Sequence, residues 1–245
     1  MNGLRIAMWS GPRNISTAMM RAWENRGDCA VSDEPLYAAF LAMTGIDHPG
    51  RDEVIAAGET DPARVIESLL GPVPDHHPVW YQKHMSHHLL PGMAREWIPK
   101  LRNVLLIRDP VEVVASYVKS RATIAPEDIG VLQQVDLFDE IKRVTGAPPP
   151  VIDAGDFLRA PEAYLRWLCE WLGIEFTEQM LAWPAGKRNS DGIWAKYWYA
   201  AVEASTGFEP WRKRDCRLSG DAARVAAACE TGYRRLHACR LNLRD

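Results

Sequence analysis

The sequence predicts an α/β fold: a central parallel sheet flanked by helices in three layers. Three observations carry that reading. Short apolar runs recur without polar alternation, as strands covered on both faces require. Helix-period segments alternate with those runs along most of the chain. And 245 residues suffice for one such domain, with at most a small appendage.

The first run, Leu4–Trp9 (LRIAMW), reads as a buried strand. A turn punctuated by Gly11-Pro12 follows. A helical pattern then puts Ile15, Met19, Ala22 and Trp23 on one face and ends near Gly27. Cys29–Ser32 is a short second strand. Residues 44–78, rich in Gly, Pro, Asp and His, read as an excursion from the sheet and not as a core element. Their one helix, around Asp61–Leu70, opens on Asp61-Pro62, which suits an N-cap and first turn. Val79–Lys83 is the expected third strand. Asn103–Ile107 (NVLLI) is the fourth, running into a helix that carries Val111, Val114, Ala115 and Val118. Pro148–Pro150 end a helical connection before a fifth strand at Val151–Asp153. The spacing of Tyr164, Leu165, Leu168 and Trp171 predicts a helix over Pro161–Leu172. No internal repeat, low-complexity tract or linker breaks the chain.

Composition narrows the function. Hydrophobic residues are 47% and charged residues 25%, ordinary for a globular chain. Lys+Arg number 29 against 32 Asp+Glu, a net charge of −3, so no nucleic-acid partner is expected. No apolar run approaches the roughly 18 residues of a membrane span. Five cysteines (Cys29, Cys169, Cys216, Cys229 and Cys239) include no CxxC pair and are odd in number. A disulfide framework is therefore not expected, and a reducing, cytoplasmic setting is. From Trp211 onward nine Lys/Arg stand against four Asp/Glu. That reads first as a helix with a solvated basic face, and second as a basic rim beside an anionic ligand.

Strand, turn, helix is an arrangement that makes an anion site, because turn N–H groups and the helix N-terminus point at one place. Here the turn is Ser10-Gly11-Pro12-Arg13-Asn14-Ile15-Ser16-Thr17. Two hydroxyls open the helix and Arg13 sits inside the loop. A GxxxxGK[ST] nucleotide loop counted from Gly11 requires Gly, Lys and Ser/Thr where Ser16, Thr17 and Ala18 stand. The phosphate lysine and the magnesium hydroxyl are both missing, which argues against hydrolysis of ATP or GTP. Read alone, the loop is equally well a capped helix after a tight turn. The fourth strand ends in Arg108-Asp109-Pro110, and carboxyl ends of parallel strands are where ligands bind in such folds. Ser116, on the following helix, is placed to share an anion with the guanidinium. Alone, this segment reads better as a charged pair closing a turn, with Pro110 at the first helical position.

Together the two segments resemble the sulfotransferase family, enzymes that use 3′-phosphoadenylyl sulfate on a P-loop-like fold. The family's Pro-Lys/Arg-Ser-Gly-Thr-Thr loop corresponds to Pro12-Arg13-Asn14-Ile15-Ser16-Thr17, with Asn14-Ile15 in place of Ser-Gly. Its Arg, seven residues, then Ser, which bind the donor's 3′-phosphate, correspond to Arg108 and Ser116. Residues 151–176 look like the strand and helix that come next, and Gly186-Lys187-Arg188 like the family's later basic loop. The resemblance spans most of residues 4–190. It implies one P-loop-like three-layer domain over residues 1–245, with 186–245 as a C-terminal helical region on the acceptor side. It also implies 3′-phosphoadenylyl sulfate as donor substrate, no metal, and a small-molecule acceptor with a hydroxyl or amine. Residues 186–211 match least, and acceptor specificity is expected there. Trp183, Trp194, Trp198, Trp211, Tyr197 and Tyr199 cluster in that third of the chain, most to pack the core and a few to line a pocket.

Sulfuryl transfer, like phosphoryl transfer, depends on in-line positioning and charge stabilisation. Arg13 matches the family's cation for the leaving bridge oxygen. Two residues compete as the base. Glu34, in Ser32-Asp33-Glu34-Pro35, closes the second strand where several sulfotransferase branches place a catalytic Glu; Asp33 is the less favoured neighbour. His84 follows Lys83 directly, one position off the Lys-x-His of the family's cytosolic branch, while Lys83 itself is available to support the sulfuryl group. A metal cluster of His84, His87 and His88 is a weaker reading than imidazoles at the polar edge of a pocket. Two other functions stay open: a P-loop-derived nucleotide kinase or phosphotransferase, and a non-catalytic module that binds a 3′,5′-phosphorylated adenine nucleotide.

Overall fold

The computed structural model describes residues 3–119, 121, 123–213 and 215–243. Its sheet holds β1 (Leu4–Ser10), β2 (Cys29–Asp33), β3 (Val79–Met85), β4 (Arg102–Ile107) and β5 (Val151–Asp153). They lie in the order β2-β3-β1-β4-β5, every neighbouring pair parallel. All five fall where the apolar runs predict them, β3 running on to Met85.

The missing alternation has a plain cause: both faces are covered. On one face Ile6, Met8, Tyr81, Val104 and Leu106 pack against Met19, Met20 and Trp23 of α1 (Ser16–Glu24) and Leu165 and Leu168 of α8 (Pro161–Leu172). On the other, Ala7, Trp9, Leu105 and Ile107 meet three helices. These are α5 (Pro110–Tyr117), α6 (Val131–Thr145) and α11 (Gly220–Ala238). The remaining helices are α2 (Tyr37–Thr44), α3 (Arg51–Ala57), α4 (Pro62–Leu70), α7 (Ala154–Arg159), α9 (Ala195–Trp198) and α10 (Ala200–Glu203).

The excursion over 44–78 carries two helices, and one belongs to the core. Val65, Ile66 and Leu69 of α4 are buried within the cluster that also holds Trp9 and Trp80. Their spacing forms an apolar stripe on a helix, and such a stripe is stable only against another apolar surface. The Asp61 carboxylate accepts from the Ala63 N–H at 2.9 Å, the expected cap. Asp109 likewise caps α5 through the Val111 N–H, with Pro110 in its first turn. The C-terminal helix α11 buries Val225, Cys229 and Leu236, while Arg224, Arg234 and Arg235 stay exposed and pair with Asp221, Glu230 and Asp139. No helix among the described residues is long and apolar enough to cross a membrane.

The order of strands creates the space for a ligand. From β1 the chain moves to one side to make β2 and β3, then to the other for β4 and β5. The connections leaving β1 and β4 therefore diverge, which opens a crevice at their carboxyl ends.

Candidate functional site

A cavity of about 500 Å³ occupies that crevice, lined by the β1–α1 loop from Pro12 to Ala18, by Glu34, Lys83, Arg108 and Ser116, and by aromatic residues from α2, the turn after β3 and the segment around 198–208. The loop is held at both ends. Asn14 Nδ2 donates to the Leu106 carbonyl at 2.9 Å, and its Oδ1 accepts from the Ile15 N–H at 2.8 Å. Gln134 donates to the carbonyls of Trp9 and Leu106, tying the ends of β1 and β4 together. Gly11 packs against the Ile129 carbonyl, which a Cβ would meet at 2.2 Å, so only glycine fits. No side chain caps the first turn of α1. Its N–H groups, with the Ser16 and Thr17 hydroxyls, thus remain available to an anion.

Arg13 and Arg108 meet here. Arg13 Nε donates to Ser116 Oγ at 3.0 Å, and Arg108 donates to the Arg13 carbonyl at 2.7 Å and to Glu112 at 2.7 Å. Burial and the facing Arg108 charge both lower the pKa of Arg13. Two cations lining one cavity with a hydroxyl between their segments have the chemistry to receive a multiply charged anion. Arg13 stands at φ 54°, a left-handed conformation uncommon for a residue with a Cβ, and Glu34 stands at φ 43°. Both strained residues line the cavity.

Lys83 is 1% exposed and wholly engaged. Its ammonium lies 2.8 Å from Asp33, 2.7 Å from Glu34 and 2.5 Å from the Tyr199 hydroxyl. That hydroxyl donates to both Asp33 oxygens at 2.8 Å and accepts from Trp194 Nε1 at 3.3 Å. Asp33 also accepts from the Gly192 N–H. Burial alone would lower the Lys83 pKa, but Asp33, Glu34 and Tyr199 raise it well above its usual value. The Glu34 carboxyl is raised, chiefly by burial, with Lys83 opposing and Asp33 adding to the rise. The result is a cavity-facing carboxylate of enhanced basicity beside a fixed ammonium.

The structure brings together Pro12, Arg13, Asn14, Ile15, Ser16, Thr17, Glu34, Lys83, Arg108 and Ser116. It does not bring His84, Lys187 or Arg188 to the cavity. Successive residues of a strand point to opposite faces, so Lys83 and His84 cannot share one. His84 is 1% exposed, stacks on Trp9 at 4.4 Å and touches Gln82. Burial holds its pKa at about 3. Lys187 is exposed, and Arg188 turns back to the Pro184 carbonyl and Asp191. Asp33, ranked behind Glu34 on sequence, is the anchor of the Lys83 cluster. Tyr199 was legible only as one of a group of aromatics. His48, His87 and His88 join Tyr37 and Trp198 as one wall of the cavity, although no helix places His84 and His88 on one face. Trp183 packs in the core as the composition suggests.

One group among the described residues gathers ligand-type atoms within 4.8 Å: Asp153, Asp156 and His237. It lies outside the cavity. Asp153 caps α7 and accepts from Tyr233, and Asp156 pairs with Arg159 and Arg240, which accounts for these carboxylates as structural.

A family model described as sulfotransferase domain matches residues 4–229. Two curated relatives from Arabidopsis thaliana, branched-chain-amino-acid aminotransferase-like proteins 2 and 1, are each 38% identical over 209 residues, 85% of this chain. The chain spans 37% of their length. Among solved structures, a sulfotransferase from Alicyclobacillus acidocaldarius matches with a TM-score of 0.59 at 13% identity, covering 99% of this chain and 98% of that one. The sulfotransferase domain of a Synechococcus olefin synthase matches at 0.54 and 16% identity, covering 93% and 94%. At such identities these two show a shared fold.

Proposed function

The chain belongs to the sulfotransferase family, and from that premise we propose that it moves a sulfuryl group from 3′-phosphoadenylyl sulfate to the hydroxyl or amine of a small acceptor. The observation that carries this reading is the convergence, in one cavity, of Arg13, Arg108 and Ser116 on one side with the Lys83–Glu34 pair on the other. Arg108 and Ser116 take the donor's 3′-phosphate. Pro12–Thr17, with the open first turn of α1, takes the 5′-phosphosulfate. Arg13 meets the charge that develops on the bridge oxygen as its bond to sulfur breaks. Glu34 accepts the acceptor's proton as the new bond to sulfur forms. The Lys83 ammonium supports the sulfuryl oxygens in transit. Asp33 and Tyr199 hold Lys83 in place. His84, sealed against Trp9 on the far face, has no part in the chemistry. The aminotransferase name of the curated relatives describes proteins of which this chain covers only part, and no aminotransferase activity is proposed.

The test is a thermal-shift series with 3′-phosphoadenosine 5′-phosphate, ATP and AMP, then transfer of radiolabelled sulfate from the donor to a panel of alcohols, phenols and amines. Selective stabilisation by the bisphosphate, with label transferred, is the expected result. Equal stabilisation by ATP, with magnesium-dependent turnover, would favour a phosphotransferase. Bisphosphate binding with no transfer to any acceptor would favour a nucleotide-binding module.

A further inference from the structure

Helix α1 starts at the cavity and carries a buried ion pair further along. Ser16 and Thr17 of its first turn line the cavity. Arg21, about one and a half turns further on, is fully buried. Its Nη2 donates to Asp191 Oδ2 at 2.7 Å, and its Nη1 lies 2.7 Å from Asp191 Oδ1. The Asp191 side chain is 5% exposed and also accepts from the Arg188 N–H at 2.8 Å. One residue earlier, the Ser190 hydroxyl donates to Glu24 of the same helix at 2.5 Å. A pair joined fork to fork fixes distance and plane together, so residues 190–191 have one seat on α1. A buried ion pair adds little stability over apolar side chains packed in the same space. What it supplies is geometry.

That geometry is passed on to the Lys83 cluster, which the segment after Asp191 holds at two points. The Gly192 N–H donates to Asp33 at 3.0 Å. The Tyr199 hydroxyl donates to both Asp33 oxygens and accepts from Lys83. Trp194 braces the span between them. Its indole closes on Gly192, where a Cβ would meet the ring at 2.1 Å, and its Nε1 donates to the Tyr199 hydroxyl. Asp33 and Tyr199 hold the Lys83 ammonium, which lies 2.7 Å from Glu34. A continuous path of close contacts therefore joins α1 to Glu34 by way of Asp191.

We propose that the Arg21–Asp191 pair is a latch between α1 and the Lys83–Glu34 pair, and that Asp191 is a positioning residue acting on Glu34 through Gly192 and Tyr199. This rests on the sulfotransferase reading and specifies how the donor and base sides of that site are kept in register. Five groups face Glu34: Lys83 from β3, Asp33 at the end of β2, Tyr199 after α9, Tyr37 from α2 and Tyr117 from α5. Only Asp33 and Tyr199 among them are held by the segment after Asp191. Tyr199 lowers the Glu34 pKa, so a Tyr199 set free lets it rise. A base acts above its pKa, and the acidic limb of turnover then moves to higher pH.

The experiment uses the full chain carrying 13C at glutamate Cδ. The Glu34 signal, assigned by its loss in E34Q, is followed through pH. Arg21→Met/Asp191→Leu removes both charges and keeps apolar packing, so its thermal midpoint should equal or exceed that of wild type. Its Glu34 titration midpoint should rise by about half a unit to one unit. Turnover at saturating donor should fall about ten- to hundredfold, with affinity for 3′-phosphoadenosine 5′-phosphate changed by less than about twofold. Added to Tyr199→Phe, the pair substitution should raise the Glu34 midpoint no further, because both act through one hydroxyl. Arg21→Lys keeps the charge and loses the fork; it should move the midpoint the same way, and it serves as the test if the double variant does not fold. A wild-type Glu34 midpoint in the folded variant, or a shift that adds in full to that of Tyr199→Phe, overturns the proposal. A loss of bisphosphate affinity as large as the loss of turnover overturns it too, because α1 itself would then have moved. The expected Glu34 shifts in a protein that transfers no sulfate from 3′-phosphoadenylyl sulfate uphold the latch and overturn the sulfotransferase reading instead, so the two failures are distinguishable.

Discussion

The Arg108 guanidinium donates to Glu112 and to the Arg13 carbonyl, so its plane is set before any anion arrives. A preset, charge-assisted contact to a phosphate contributes about 1.5–3 kcal/mol. Arg108→Ala should therefore weaken 3′-phosphoadenosine 5′-phosphate by roughly tenfold to a hundredfold. The 3′-dephospho analogue should lose far less, and equal losses by calorimetry would remove Arg108 from the 3′-phosphate. Glu34→Gln keeps size and hydrogen bonding but accepts no proton, so turnover at saturating donor should fall by about 10²–10⁴ with donor affinity little changed. If Glu34 is the base, as proposed, its neighbours set the pH at which it acts. Asp33 raises its pKa and the Tyr199 hydroxyl lowers it, both secondary to burial. A base acts only above its pKa, so the acidic limb of the turnover profile should move to lower pH in Asp33→Asn and to higher pH in Tyr199→Phe. Two variants that merely loosened the site would shift the limb the same way or not at all. Arg108 and Glu34 are legible through the resemblance of their segments to the family; the Lys83–Asp33–Tyr199 cluster is not, because Tyr199 lies 116 positions from Lys83.

Between elements, the β1–α1 loop is shaped by the groups packed behind it. Gly11 is in contact with the Ile129 carbonyl, and Gln134 of α6 clamps the ends of β1 and β4. Gly11→Ala forces the loop or the Ile129 backbone to move. Overpacking of this kind typically costs about 1–3 kcal/mol. A lowered thermal midpoint together with weaker bisphosphate binding is expected, and an unchanged midpoint would show that the loop has slack. In β3 the period of two sends Lys83 to the cavity and His84 to Trp9, and that period was present in the sequence. What hid it was a run in which Tyr81, Gln82, Lys83 and His84 are all polar or amphipathic, so that neither face announced itself as apolar. The segment over 44–78 misled in the opposite sense. Its Gly, Pro and Asp content reads as loop, while the apolar stripe of α4 joins the core.

Over the whole molecule, the basic tail separates stability from function. Leu236 of α11 is fully buried, whereas Arg234 and Arg235 are exposed and paired with Glu230 and Asp139. Leu236→Ala should lower unfolding free energy by about 2–5 kcal/mol. The double variant Arg234→Ala/Arg235→Ala should leave both denaturant midpoint and bisphosphate affinity unchanged. A marked loss of affinity in the double variant would revive the basic rim. Local sequence encodes the sheet, the helices that cover it, and the turns after β1 and β4 that carry Arg13 and Arg108. Each of these is written in local period, in capping residues such as Asp61 and Asp109, or in short fixed spacings, all properties of neighbouring residues. Long-range packing selects which carboxylate reaches the cavity, folds Tyr199 and Gly192 back to hold Asp33, and assembles three histidines, Tyr37 and Trp198 into one wall of the cavity. Those contacts join segments far apart in the chain. Side-chain direction across such gaps depends on how whole layers pack, and no local pattern encodes it.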